Sequence, residues 1–325
     1  MSIMRVVRPV LGQDSKGTRL LQRWWTYQRE RFPVLLQGSL IGVLSLSAIS
    51  YSMLLRGDIH LPGARQSLVA FVTVFLFFLQ LRIADEWKDF EDDARFRPYR
   101  AVPRGIVTLE ELRTVGLAGA LVQLALALWL EVSLVPLVLL VWAYMGLMSQ
   151  EFFAREWMKA HPVAYLAAHM PILPLIYLYA AACDFAGAGG ASRAGIAWFV
   201  MVGFFNGLVF EIGRKIRAPQ DEEHGVETYT RLWGREKGVL VWFGALVLSA
   251  LAATMAATQI RWTIPMLMVL GLALAVAMKT GFQFLQRPVT PWAKAIEFCS
   301  AAWVLVLHLN LGPVSLLFLL VKWSR

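Results

Sequence analysis

Nine mostly apolar runs lie along the chain, at roughly 34–55, 67–84, 113–130, 132–149, 163–182, 195–213, 238–258, 262–280 and 298–320. Each is long enough to cross a bilayer core of ~30 Å as an α-helix, which takes about 20 residues. Lipid offers no partner for backbone amides, so spans of this length have to be helical. The expected fold class is therefore an all-α polytopic membrane protein. Composition agrees, with 58% hydrophobic and 16% charged residues, where a soluble domain has about 25% charged. Turn or charge signals separate the runs, among them "RGDIHLPGARQ", "DFAGAGGASR" and "QRPVTPWAK".

Nine spans put the two ends on opposite sides of the membrane. A basic N-terminus places it in the cytoplasm by the positive-inside rule. The cytoplasmic loops are then 85–112, 150–162, 211–237 and 281–297, which hold most of the remaining Lys and Arg. A formal charge of +9 would raise nucleic acid as a partner in a soluble domain. Here it is read as cytoplasmic loops facing anionic membrane lipids, with no nucleic-acid partner. The expected location is an integral membrane protein, of the cytoplasmic membrane if bacterial. Residues 1–33 form a basic segment with no apolar core and cleavage site of signal-peptide type. Within it "TRLLQRWWTYQRERF" reads as an interfacial helix, with Leu20, Leu21, Trp24 and Trp25 sharing one side. Residues 34–325 form one transmembrane domain. Both long polar loops carry an acidic cluster followed by Gly-x-x-Thr, "GIVT" at 105–108 and "GVET" at 225–228. This suggests a duplicated four-helix unit, roughly 34–149 and 163–280.

The second span runs straight into "DEWKDFEDD", in which six of nine residues are acidic. Asp85, Asp89 and Asp93 recur at i, i+4 and i+8, so a continuing helix aligns carboxylates on one face. Like charges at that spacing destabilise a helix unless neutralised. A hard divalent cation does so, and Mg²⁺ is commonly held by one or two carboxylates together with substrate phosphates. The alternative is a solvated acidic face paired with nearby arginines. Arg97, Arg100 and Arg104 follow at once, and guanidinium forks suit phosphate. Pro98 and Pro103 end the helix and leave those arginines on a loop that can fold back. Carboxylates beside guanidiniums suggest a Mg²⁺–diphosphate site.

The segment resembles the UbiA superfamily of intramembrane prenyltransferases. Its first motif, Asn-Asp-x-x-Asp-x-x-x-Asp followed by Asn-Arg-Pro-x-Arg-Pro-x-Pro-Ser-Gly, aligns without a gap on "DEWKDFEDD-ARFRPYRAVPRG". Asp85 takes the Asn place and Glu86, Asp89 and Asp93 the three Asp places. Arg97, Pro98, Arg100, Pro103 and Gly105 fall on their counterparts, while Phe96 and Arg104 depart. The family's second motif has Asp-x-x-x-Asp shortly before Gly-x-x-Thr. Here Asp221 lies four before Gly225, but the partner position is Arg217. Glu211 or Glu222 could supply the missing oxygens, or Arg214, Lys215 and Arg217 could hold diphosphate charge directly. The basic pair that closes the fourth helix of many members is absent, so Arg155 or Lys159 would substitute.

The resemblance implies a helical bundle with a central cavity, and ionisation of an isoprenyl diphosphate with transfer to an aromatic or other lipophilic acceptor. Asp85, Glu86, Asp89, Asp93, Glu211, Asp221 and Glu222 are the implied Mg²⁺ ligands. Arg97, Arg100, Arg214, Lys215 and Arg217 are the implied diphosphate contacts. An acceptor-free terpene cyclase and a non-catalytic isoprenoid-binding or transport protein are the alternatives. Other polar residues inside spans, Gln80, Tyr144, Tyr165, His169 and Asn206, are expected to make helix–helix hydrogen bonds. The two cysteines, Cys183 and Cys299, have no CxxC partner, and His161 and His169 lack metal spacing, so no disulfide framework or zinc site is expected.

Overall fold

The computed structural model describes residues 16–186 and 193–323. It is built of helices α1 (Lys16–Arg31), α2 (Val34–Arg56), α3 (Ala64–Lys88), α4 (Phe90–Phe96), α5 (Leu109–Leu130), α6 (Val135–Ser149), α7 (Arg155–Ala160), α8 (Pro162–His169), α9 (Ile172–Phe185), α10 (Arg193–Arg214), α11 (Tyr229–Trp233), α12 (Arg235–Gln259), α13 (Thr263–Gln286), α14 (Thr290–Leu311) and α15 (Pro313–Trp323). No strand occurs among the described residues. Nine candidate membrane spans are found among them, and each coincides with a run read from the sequence. Residues 1–15 of the basic N-terminal segment, residues 187–192 and the C-terminal "SR" lie outside the described residues.

Two spans are broken helices. The fifth is α8 followed by α9, parted at Pro171, and the ninth is α14 followed by α15, parted before Pro313. Proline brings no backbone N–H and clashes with the preceding turn, which is where each helix stops. The ninth span also begins earlier than its apolar run, at Thr290. Pro291 sits in the first turn of α14, where a missing N–H costs nothing, so "VTPWAK" starts a helix and does not merely separate two.

The core is made by α2, α3, α9, α10, α12 and α14. Tyr51, Phe77, Tyr179, Phe199 and Trp242 are fully enclosed there. Small residues let the inner helices close on one another, as Ala252, Ala253, Ala256 and Ala257 do on α12. Gly203 on α10 lies under the Tyr177 ring, where an added Cβ would come within 2.7 Å of it. By contrast α5, α6 and α13 present much of their apolar surface outward, including Leu121, Leu139 and Leu272, as lipid-facing helices do.

One polar end of this bundle carries the loops after the second and sixth spans. Helix α1 lies over the first of them. Its Tyr27 is buried with Ala101, Val102 and Val107. Arg23 donates to the Ile106 carbonyl at 2.7 Å and pairs with Glu111 at 2.8 Å. Leu20, Leu21 and Trp25 remain exposed while Trp24 packs edge-on against Tyr27. The expected apolar side of this helix is therefore divided, because the arginine loop claims the Trp24–Tyr27 edge.

Candidate active site

At this polar end the α3–α4 segment, the 97–104 loop, α7–α8, the end of α10 and the strap 225–228 enclose a cavity of about 480 Å³. Helical hydrogen bonding runs through the acidic segment, from Asp89 N to Asp85 O at 2.9 Å and from Asp93 N to Asp89 O at 2.8 Å. Asp85, Lys88, Asp89, Asp92 and Phe96 thus share the face that lines the cavity. Glu86 and Asp93 fall on the other side. Glu86 is buried and accepts from Arg31 Nε at 2.5 Å. Asp93 is buried between Arg97 at 2.7 Å and Arg100 at 2.6 Å.

The acidic run therefore divides its work. Asp85 and Asp89 point at the cavity. Asp93 braces two arginines that also line it, and Glu86 fixes Arg31 in the wall. Burial, reinforced by the nearby Asp85 and Asp93 charges and opposed by Lys88, holds the Asp89 carboxyl above its ordinary pKa. Its side chain makes no hydrogen bond or ion pair among the described residues. Burial and the flanking Arg31 and Arg97 charges hold the Arg100 guanidinium below its usual value, against the pull of Asp93. Both groups gain by receiving a counter-ion.

The opposite wall is α10 and the strap. Glu211, Arg214 and Lys215 line the cavity, and Glu211 holds both cations, at 2.5 Å and 2.9 Å. That end is thus cationic by one charge. Gly225 opens the strap with φ +78°, and the Phe96 ring packs where its Cβ would be, at 2.5 Å. The strap also partitions this cavity from a second one of about 460 Å³, which Arg97 and Arg100 line as well.

Arg217, Asp221 and Glu222 lie on that second cavity and not on the first. Beyond α10 the chain is anchored by the buried Ile216 and Ala218, which turn Arg217 outward between them. Asp221 accepts from Thr290 at 2.9 Å, and Glu222 accepts from Thr228 and Thr230 at 2.6–2.7 Å. Of the basic residues considered as substitutes after the fourth span, Lys159 lines the main cavity and pairs with Asp92 at 3.3 Å. Arg155 does not line it.

Sequence reasoning missed several wall residues. Lys88 donates to the Tyr165 hydroxyl at 2.6 Å and stands over that ring at 5.0 Å. Its spacing from Asp85 could have revealed it. Asp92 falls between the aligned motif positions, yet it shares the cavity face. Arg31 and Glu151 come from distant segments, and nothing local marks them. Tyr229 is a further wall residue, its phenol pushed up by burial, with Lys215 over the ring at 5.6 Å.

Mg²⁺ can be tested against this donor set. Among the described residues no three His, Cys, Asp or Glu side chains converge as a self-sufficient metal cage. The two cavity-facing carboxylates one turn apart, Asp85 and Asp89, instead suit an ion that takes one or two carboxylates and completes its shell with water and phosphate. The first wall fits such an ion; the α10 wall, where Arg214 and Lys215 already hold Glu211, does not supply a second carboxylate set.

Below Glu211 a third, apolar cavity of about 250 Å³ runs into the bundle between α2, α9, α10 and α14. Glu211 lines both spaces.

The sequence profile of the UbiA prenyltransferase family matches residues 43–306. The chain belongs to the UbiA prenyltransferase family. Solved UbiA structures share its architecture. One is a UbiA homologue from Aeropyrum pernix K1, 15% identical, with TM-score 0.62 over 85% of this chain and 96% of that one. A digeranylgeranylglyceryl phosphate synthase matches with TM-score 0.59 at 15% identity, over 90% of this chain and 98% of that one. A UbiA homologue from Archaeoglobus fulgidus, solved with DMAPP and Mg²⁺, matches with TM-score 0.53 at 11% identity, over 88% and 98%. At these identities the structures speak to the fold. No protein of curated function matches the sequence significantly. As a UbiA-family member with nine candidate spans among its described residues, the chain is an integral membrane protein.

Proposed function

We propose that this protein ionises an isoprenyl diphosphate at the polar cavity and transfers the prenyl group to a lipophilic acceptor. The observation that carries the reading is the shared residue Glu211, at which a polar chamber of about 480 Å³ meets an apolar one of about 250 Å³. A molecule with a diphosphate head and a hydrocarbon tail matches both. Eight cationic side chains and six carboxylates line the polar chamber.

In this reading Arg97, Arg100, Arg214 and Lys215 receive the diphosphate, and Asp85 and Asp89 hold Mg²⁺. When bound, Mg²⁺ supplies Lewis-acid neutralisation of the leaving group's charge. The C1–O bond breaks with both electrons going to the diphosphate oxygen, whose growing charge the arginines and Lys215 stabilise. The allylic cation left behind is electron-poor at C1. The rings of Tyr165 and Tyr229 already face ammonium groups at the wall, so their faces are placed to stabilise positive charge. An acceptor electron pair forms the new bond to C1, and the acceptor's displaced proton leaves to solvent. The excess of Lys and Arg at this end supports its facing the cytoplasm.

The test is release of diphosphate from allylic diphosphates by the purified protein, with and without Mg²⁺ and with a panel of aromatic acceptors. Release that depends on Asp89 supports the reading; no release across chain lengths and acceptors refutes it. Product analysis separates transfer from acceptor-free cyclisation.

A further inference from the structure

The apolar chamber does not end in hydrocarbon. Its floor is Tyr177 on α9, Asn206 on α10 and His308 on α14, all buried in the middle of the bundle. Tyr177 and His308 Nε2 are hydrogen-bonded at 2.5 Å, and Asn206 Nδ2 lies 3.5 Å from the same nitrogen. Ser249 donates to Asn206 at 2.8 Å and Trp303 donates to Ser249 at 2.9 Å. Four spans are tied together by this network, so its members are not free to swing aside. His308 Nδ1 has no partner among the described residues. Hydrocarbon pushed deeper would have to displace a bonded polar cluster and leave its groups unpaired, which is expensive in an apolar interior.

Two measures of the space above this floor agree. Along α10 the chamber runs from Glu211 to Asn206, and along α14 from Ala301 to His308. At a rise of about 1.5 Å per residue these stretches measure roughly 7.5 and 10.5 Å. Three extended backbone bonds span about 3.3–3.6 Å, so the four bonds of an isoprene unit span about 4.5 Å. The depth therefore takes about two units. The volume of about 250 Å³ compares with an engineered apolar cavity of about 150 Å³ that binds benzene, which scales to about ten carbons.

We infer that the Tyr177–Asn206–His308 floor makes this protein selective for a short isoprenoid of about ten carbons. The inference rests on the functional reading above and adds the tail length to it. Side chains of α2 and α14 such as Leu40, Val43, Val304 and Leu305 form the chamber's sides; the floor sets its depth.

The experiment measures binding, not turnover. Non-releasing thiolodiphosphates with C5, C10, C15 and C20 chains are titrated against the purified full-length protein in detergent, with inorganic diphosphate as a tail-free control. Wild-type affinity is expected to rise about tenfold or more from C5 to C10, as buried methylenes add up, and to stop rising at C15 and C20. Leu305→Phe, which narrows the chamber about 6 Å below its Ala301 end, is expected to weaken C10 about tenfold while leaving C5 unchanged. His308→Ala, if it folds, moves the optimum to C15. Affinity that climbs steadily to C20 in the wild type, or a Leu305→Phe effect equal at every length, overturns the inference. If diphosphate binds and the four analogues are equivalent, only the length selection fails. If neither diphosphate nor any analogue binds, the reading of the polar cavity fails with it.

Discussion

Asp93 and Asp89 occupy equivalent places in the acidic motif, yet the structure gives them opposite work, and Asn substitutions should separate the two. Asp93 is 2% exposed at its side chain, and its partners Arg97 and Arg100 are 19% and 20% exposed. Removing one member of a buried ion pair costs about 3–5 kcal/mol, whereas exposed pairs contribute about 0.2–1 kcal/mol. With the carboxylate enclosed and the guanidiniums partly screened, Asp93→Asn should cost about 3 kcal/mol. At about 2 °C per kcal/mol for a chain of this size, the midpoint of thermal unfolding falls by about 6 °C. Asp89 has no such bond to lose, and burial already opposes its charge. Asp89→Asn should therefore change stability by less than about 1 kcal/mol while abolishing the Mg²⁺-dependent part of diphosphate binding. Unfolding followed by tryptophan fluorescence in detergent gives the first quantity, and titration of a prenyl thiolodiphosphate with and without Mg²⁺ gives the second. The reasoning is refuted if Asp93→Asn melts like the wild type but loses Mg²⁺-dependent binding, since Asp93 would then act as a metal ligand and not as a clasp.

Three further outcomes follow from individual contacts. Glu86→Gln removes the buried partner of Arg31, paired at 2.5 Å; it should lower stability by about 3 kcal/mol, read as a drop in the unfolding midpoint. Gly225→Ala places a Cβ against the Phe96 ring at φ +78°; the left-handed backbone alone costs about 1–2 kcal/mol. Phe96→Ala in the same chain should recover the steric part but not the backbone part, measured as unfolding midpoints of the three variants. Tyr27→Phe leaves the α1 ring buried against Ala101 and Val102 and removes a hydroxyl that has no partner among the described residues, so it should be neutral or slightly stabilising by the same assay.

The fold was legible because hydrophobic length is a one-dimensional property: nine runs in the sequence, nine candidate spans among the described residues. The candidate site was legible where it is built on one helix. Asp85 and Asp89 follow from the register of α3 alone, and so could Lys88 and Asp92 have. Spacing at i, i+4 and i+8 groups Asp93 with that face, and the family motif adds Glu86 to it. What turns those two away is tertiary: Arg31 reaches Glu86 from 55 residues earlier, and Arg97 and Arg100 fold back on Asp93 through a loop. The residues of the second motif lie off the first cavity for another reason. Residues after α10 were counted at fixed spacing from Gly225, but Ile216 and Ala218 are buried and turn Arg217 away. Those two apolar residues flanking Arg217 were visible in the sequence.

That turn carries a consequence for binding. With Asp221 and Glu222 occupied by threonine hydroxyls beside the second cavity, the α10 wall meets the substrate through Arg214 and Lys215, two cations for the one carboxylate of Glu211. Fixed cations need no metal to attract diphosphate. Prenyl thiolodiphosphate should therefore keep measurable affinity in EDTA, weakened by about tenfold, or ~1.4 kcal/mol, relative to Mg²⁺. A site that depended on metal at both walls would lose binding altogether. Arg214→Gln with Lys215→Gln should cut the EDTA-resistant part down to what Arg97 and Arg100 hold and spare the gain on adding Mg²⁺, because Asp85 and Asp89 are untouched. Equal losses with and without Mg²⁺ would mean that the two walls do not divide the charge in this way. Complete loss of wild-type binding in EDTA would mean that the cations of α10 serve Glu211 alone.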